Sequence, residues 1–171
     1  METCVPEGIE IPGPVDPTNC QQQLADLGLN FTQASNPKDS PDGHPDLICN
    51  IADPIMLSGV IHGVNFRYNT MDNDAKPMFM TCPLALAIEK TALLLSENGV
   101  TDVLHLGIYN CRVISGTKKL SQHGLANAID IKGLVTDENA MYDVLGDWEK
   151  GVASPLTEAG QYLKWFAQTL Y

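Results

Sequence analysis

The 171-residue sequence predicts an α+β fold: a small, mostly antiparallel sheet with flanking helices, stabilised by disulfides. Three observations lead there. Residues 83–98 (PLALAIEKTALLLSEN) form a Pro-led run with a broad apolar face, closed by Asn98-Gly99. Residues 64–68 and 102–108 alternate in the two-residue period of strands. Helical and extended segments follow one another in mixed order, without the strict alternation of a parallel α/β sheet.

In chain order, residues 1–16 hold three prolines and two glycines and read as an extended arm. The domain proper is expected over 17–171. Asp16 as N-cap and Pro17 at the first position predict a helix through Cys20, Leu24 and Leu27 to Gly28. Leu29 and Phe31 form a short extended piece. Residues 33–46 are a polar loop with three prolines. Ile55–Val60 and Val64–Tyr68 are expected to pair as a hairpin about His62-Gly63. After the 83–98 helix come a strand over Asp102–Ile108 and another over Ala128–Ile131. Residues 133–151 read as further strands or loops. The final helix is expected to start with Ser154 as N-cap and Pro155 at its first position, with Leu156, Leu163, Phe166 and Leu170 on one face.

Composition narrows the function. The net charge is −11, with 10 Lys plus Arg, so nucleic acid is not an expected partner. The same charge gives no long-range attraction to anionic membranes or wall polymers. No run approaches the ~18 apolar residues of a transmembrane segment. Five cysteines (Cys4, Cys20, Cys49, Cys82, Cys111) lie far apart, which disfavours a zinc-thiolate or thioredoxin-like motif. Their scatter fits disulfides and a secreted or periplasmic protein. Spacing alone leaves about fifteen arrangements of one free cysteine and two bridges. Cys4, in the arm, is the natural odd one out. The first residues lack a basic start and an apolar core, so a leader is expected to have been removed or replaced by a start Met.

Tyr109–Gly133 carries the densest chemistry, with Ser121-x-His123-x6-Asp130 at its centre. His123 and Asp130 are too far apart in sequence to be neighbours on one helix face. They meet if His123 lies on a loop and Asp130 on the next strand, where Ala128, Asp130 and Lys132 point one way and Ile129 and Ile131 the other. A carboxylate held in an apolar strand needs a partner, and a metal ion shared with the histidine is one. From spacing alone the plainer reading is favoured: Asp130 as a strand-end residue at a water-lined edge, with His123 a loop histidine hydrogen-bonded to it.

Further residues extend this pattern. Cys82-Pro-Leu-Ala, Gly107-x-Tyr109-x-Cys111-Arg112 and Leu120-Ser121-x-His123-x-x-Ala126-Asn127-Ala128-Ile129-Asp130-Ile131 together resemble the extensin-like C-terminal domain family. The resemblance spans most of 17–148 and is most specific from Ser121 to Asp130. That family looks like the zinc peptidases that include D-alanyl-D-alanine carboxypeptidases, lysostaphin-type endopeptidases and the hedgehog signalling domain. Their shared pattern is Ser-x-His-x-x-Gly-x-Ala-x-Asp; this chain departs from it at Ala126. The resemblance implies zinc as cofactor, bound by His123 and Asp130. It also implies Ser121 and Arg112 as contacts to a substrate carboxylate or oxyanion, on a peptide or peptidoglycan substrate. A loop-capping hydroxyl and a surface ion pair are the plain alternatives for those two. The same resemblance implies disulfides Cys20–Cys49 and Cys82–Cys111.

A third zinc ligand is expected from a His-rich segment after the last helix, and no His follows His123. The favoured expectation is that the chain is cut at Tyr171 and a second chain supplies the missing piece. A substitute ligand among His44, His62 and His105, or loss of hydrolytic activity, are the other two. Asp143, Asp147 and Glu149 read as a solvated acidic loop, and Trp148, Tyr162 and Trp165 as packing aromatics. Met71, Met78 and Met80 read as gap-filling core. Two functions remain: a zinc-dependent peptidase-like hydrolase, and a non-catalytic wall- or partner-binding module on the same scaffold.

Overall fold

The computed structural model describes residues 19–69 and 74–170. The expected arm, the Asp16–Pro17 helix start, Cys4 and Met71 lie outside the described residues. Helix α1 spans Cys20–Asp26. Strands β1 (Phe31–Gln33), β2 (Pro54–Leu57), β3 (Val60–Ile61), β4 (Val64–Tyr68) and β5 (Met78–Thr81) follow. Helix α2 (Cys82–Glu97) leads to β6 (Val100–His105), a 3-10 turn at His123–Leu125, β7 (Ile131–Thr136) and β8 (Met141–Asp143). Short helix α3 (Val144–Asp147) and α4 (Glu158–Thr169) complete the order.

The α+β class holds, with two sheets in place of one. A three-stranded sheet orders β1-β2-β5, and a five-stranded sheet orders β3-β4-β6-β7-β8. Every pairing is antiparallel except β4 with β6. That parallel pair needs a long crossover, which β5 and α2 provide. Arg67 and Asp102 lock it with a 2.7 Å ion pair between the adjacent strands.

The expected hairpin is half right. Its turn is at His62-Gly63, where both residues have positive φ (49° and 79°), the geometry that matches strand twist. Its first strand is only Val60–Ile61. Residues 54–57 belong to the other sheet, because the chain changes sheets at Gly59. A Cβ there would sit 2.5 Å from the Lys76 carbonyl oxygen, so no side chain is tolerated at the crossing.

Helix α2 is the central support. Pro83 sits in its first turn, and the Thr81 side chain accepts from the Leu84 N–H. Its Ala85, Ile88, Ala92 and Leu95 are buried against Ile55 and Leu57 of β2, Phe66 of β4, Val103 of β6 and Leu134 of β7. One charged residue lies on that buried face: Glu89, paired with His62 Nε2 at 2.9 Å.

The disulfides pair differently from the expectation. They are Cys20–Cys82 and Cys49–Cys111, with Cα separations of 6.1 and 5.8 Å. Cys20 and Cys82 are the first residues of α1 and α2, which pack together, so they meet at the helix starts. Cys49 lies three residues beyond the polar loop, donates its N–H to the Asp39 carbonyl at 2.8 Å, and joins this segment to the one carrying Cys111. The final helix also starts later than expected. Thr157 is its N-cap, accepting from the Gly160 N–H, and Leu156 is left outside and exposed. Glu149 accounts for the shift: its carboxylate accepts from the N–H groups of Leu156 and Thr157, holding them in a pre-helical turn.

Candidate functional site

The site forms where β6 ends and β7 has not begun. Leu106 donates its N–H to the Asp130 carbonyl at 2.8 Å, and Asp130 donates to the Gly107 carbonyl at 3.1 Å. This reciprocal pair extends the β6–β7 ladder past its regular strands. Asp130 therefore precedes β7 and is not buried within it: its side chain is 61% exposed. The expectation of a strand-buried carboxylate in need of a partner is corrected accordingly. Water can solvate this group, so its position imposes no desolvation demand.

His123 opens the 3-10 turn that Ser121 and Gly124 build. The Ser121 hydroxyl accepts from the Gly124 N–H at 3.1 Å, and Ser121 donates its own N–H to the Arg112 carbonyl at 3.0 Å. Gly124 lies against the Arg112 backbone, where a Cβ would come within 3.0 Å of the Arg112 carbonyl oxygen and 3.4 Å of Cys49 Sγ. The Cys49–Cys111 bridge thus sits directly behind the histidine turn. Ala126 closes the turn in the left-handed region (φ 52°), fully buried, and its carbonyl accepts from the Thr81 N–H at the start of α2. The conformation at Ala126 is one that glycine adopts freely.

These supports fix the imidazole. His123 Nδ1 lies 2.8 Å from the Ile108 carbonyl oxygen, so Nδ1 carries the proton and donates. The other ring nitrogen, Nε2, lies 3.3 Å from Asp130 Oδ1. Both atoms border a groove of about 300 Å³, lined also by Tyr68, Tyr109, Asn110 and the exposed Arg112. Three of the four expected site residues, Arg112, His123 and Asp130, therefore share one groove. Ser121 is buried behind it, engaged with its own loop.

Tyr68, Tyr109 and Asn110 were not singled out as site residues. Tyr109 and Asn110 lay within the dense run, whereas nothing in the local pattern distinguished Tyr68 from a strand-end aromatic. Tyr109 donates to Asp39 Oδ2 at 2.8 Å; burial, and then this bond to Asp39, push its pKa up to about 12. It stays a protonated donor that ties the polar loop to the groove.

The other histidines lie elsewhere. His62 pairs with Glu89, His44 lies in the polar loop, and His105 points to a separate pocket with Phe66, Asp74 and Met78. Among the described residues no group of three or more His, Cys, Asp or Glu side chains is placed to hold a metal ion. The pair itself has suitable donor chemistry, an imidazole nitrogen with its tautomer set by a backbone carbonyl and an open carboxylate oxygen. It is one protein ligand short of a catalytic zinc set.

The acidic residues at and after the end of β8 are local braces. Asp143 caps α3 through the Leu145 and Gly146 N–H groups and pairs with Lys132, whose hydrogen bond holds the Asp143 carboxyl below the usual carboxylate range. Asp147 accepts from the Asp143 N–H. Tyr162 stacks on Tyr142 at 4.3 Å between ring centres and packs beside Trp165, which fits the packing role expected of these aromatics.

Fold and site together define a disulfide-tied α+β domain with a His–Asp groove at the open end of its larger sheet. The chain belongs to the family described as Extensin-like protein C-terminus, which matches residues 18–164. No curated protein and no solved structure matches the chain. No helix among the described residues is long and apolar enough to cross a membrane.

Proposed function

We propose that this domain is an exported, zinc-dependent peptidase-like hydrolase acting on cell-wall or related peptides, with a metal site completed by a ligand from a second chain. One observation carries the reading: His123 Nε2 and Asp130 Oδ1 converge on a groove while Nδ1 is committed to the Ile108 carbonyl. A histidine oriented in this way is prepared to donate through Nε2. Zinc, when bound, supplies Lewis acidity, polarising a scissile carbonyl and acidifying water. Arg112 offers a planar fork of donors to a substrate carboxylate or developing oxyanion at the same groove. Ser121 serves as a positioning residue, holding the turn that aims His123. The two disulfides support an exported location.

A second reading, a non-catalytic binding module on the same scaffold, is favoured by the lack of a third ligand among the described residues. Zinc uptake separates the two. The purified chain is equilibrated with zinc, desalted and analysed for metal, as wild type, His123→Ala and Asp130→Ala. The hydrolase reading expects zinc retained by the chain, alone or with a candidate partner polypeptide, that both substitutions remove, with Asp130→Ala leaving the melting temperature nearly unchanged. Equal zinc in all three proteins, or none in any of them with or without a candidate partner polypeptide, overturns it.

A further inference from the structure

Beside the His123–Asp130 groove lies a second one with different chemistry. It holds about 430 Å³ and is walled by Leu106, Ile131, Val144, Leu145 and Trp148, with Lys132 and Lys150 at its edge. Leu106 belongs to both grooves. Asp130 and Ile131, adjacent in the chain, line one groove each. The two therefore adjoin at a single strand end.

The apolar residues here are open to water. Leu145 is 94% exposed, Leu106 50% and Trp148 42%. Scattered singly they would need no explanation, but around one concavity they form a patch of the kind that marks a binding site. The patch is also held in place. Asp143 caps α3 twice and its carboxylate is pinned by Lys132, so Leu145 and Val144 are presented on a braced turn. Two lysines line it; Asp143 neutralises Lys132, which leaves Lys150 as the lining's open charge on a chain of net −11. Lys150 has no ion pair among the described residues.

We propose that this groove is the specificity subsite of the His123–Asp130 groove, taking a branched-aliphatic or aromatic side chain of an extended acidic peptide. The proposal rests on reading the His123–Asp130 groove as a peptide site. Adjacency at Leu106 lets one extended peptide occupy both grooves. The volume is within the range of small-ligand pockets and accommodates a large side chain. Lys150 supplies the attraction for a carboxylate further along the peptide. A second copy of this chain is a poorer occupant, because a two-fold contact through this face brings the Lys150 charges of both copies into one interface.

The test uses labelled hexapeptides of Gly and Asp in which a single Leu, or Ser as control, is moved through each position. Binding is read by fluorescence anisotropy. The wild type should bind at least one Leu peptide about tenfold tighter than its Ser counterpart, the discrimination expected of an apolar pocket. Leu145→Asp, at an exposed position that leaves folding unaffected, should reduce that ratio below about twofold, and Trp148→Ala should do the same. Lys150→Glu should weaken binding while leaving the Leu-to-Ser ratio intact. No Leu preference at any position, or a preference that survives Leu145→Asp, overturns the proposal. So does a dimer in sedimentation equilibrium that Leu145→Asp abolishes. The zinc-uptake measurement distinguishes this from failure of the metal reading: a Leu preference without zinc uptake sinks only the metal site, and zinc uptake without a preference sinks only the subsite.

Discussion

His123 and Asp130 face each other at 3.3 Å across the groove, yet one is tied to backbone and the other stands in solvent. An exposed ion pair contributes under ~1 kcal/mol, whereas a hydrogen bond from a mostly buried group contributes about 1 kcal/mol, with packing in addition. Asp130→Asn should therefore lower unfolding stability by less than ~1 kcal/mol, and His123→Ala by about 1–2 kcal/mol. Urea denaturation of the two variants checks the ordering. An Asp130→Asn loss larger than that of His123→Ala would mean the carboxylate bears a structural burden its exposure does not suggest.

Glu89 projects from the buried face of α2 and has His62 as its partner. Removing the partner leaves a buried carboxylate unsatisfied, at a cost of roughly 1–3 kcal/mol. His62→Ala should be destabilising by that amount in chemical denaturation at neutral pH. The double substitution His62→Ala with Glu89→Leu should recover much of the loss, since an apolar residue of similar size no longer needs a partner.

Both disulfides join residues 62 apart in sequence, so chain entropy predicts about 4 kcal/mol for each. Their local effects should differ. Cys20–Cys82 lies in the core between α1 and α2, and its removal should lower the global midpoint. Cys49–Cys111 lies behind Gly124 and the His123 turn. Replacing both Cys49 and Cys111 with Ser should also raise amide exchange at 110–126 beyond what the global loss explains. Hydrogen exchange with unchanged relative protection in that segment would count against the bracing role.

His105 is buried, and its Nδ1 has no hydrogen-bond partner among the described residues. Burial lowers its pKa below the ordinary 6.5. As pH falls through about 6.5 the unfolded chain takes up the proton first, so the folded state loses ground. The contribution is complete above that pH and declines toward the lowered folded-state value, by at most ~1.4 kcal/mol per pH unit. Comparing urea midpoints at pH 7.5 and 5.5, His105→Phe should lose less stability than wild type. The ring also keeps the edge contact that His105 makes with Tyr68. Parallel pH dependences for the two proteins would assign the effect to other groups.

The helices and the site run were readable because their signals are local. Thr81 and Pro83 announce α2, and the turn at His62-Gly63 announces the hairpin. Of the Ser-x-His-x6-Asp run, His123 and Asp130 do share a groove, while Ser121 lies buried behind it. Other features depended on partners remote in sequence. Ser154-Pro155 resembled a helix start, but Glu149 holds the following residues and the helix begins at Glu158. Residues 55–60 resembled one strand, but the Lys76 backbone at Gly59 splits it between two sheets. Tyr68 reaches the groove only because β4 runs parallel to β6.

Local chemistry in the chain was enough to define an α+β class, the principal helix, a pair of potential metal donors and the family pattern around them. Tertiary packing decided which cysteines meet, that Asp130 is solvated, and that Ser121 turns into its own loop while Arg112 faces the groove. The division is physical. Propensity, capping and short-range spacing act over a few residues and are written in sequence order. Disulfide partners, burial and the convergence of side chains depend on how α1, α2 and the two sheets pack, which local order does not specify.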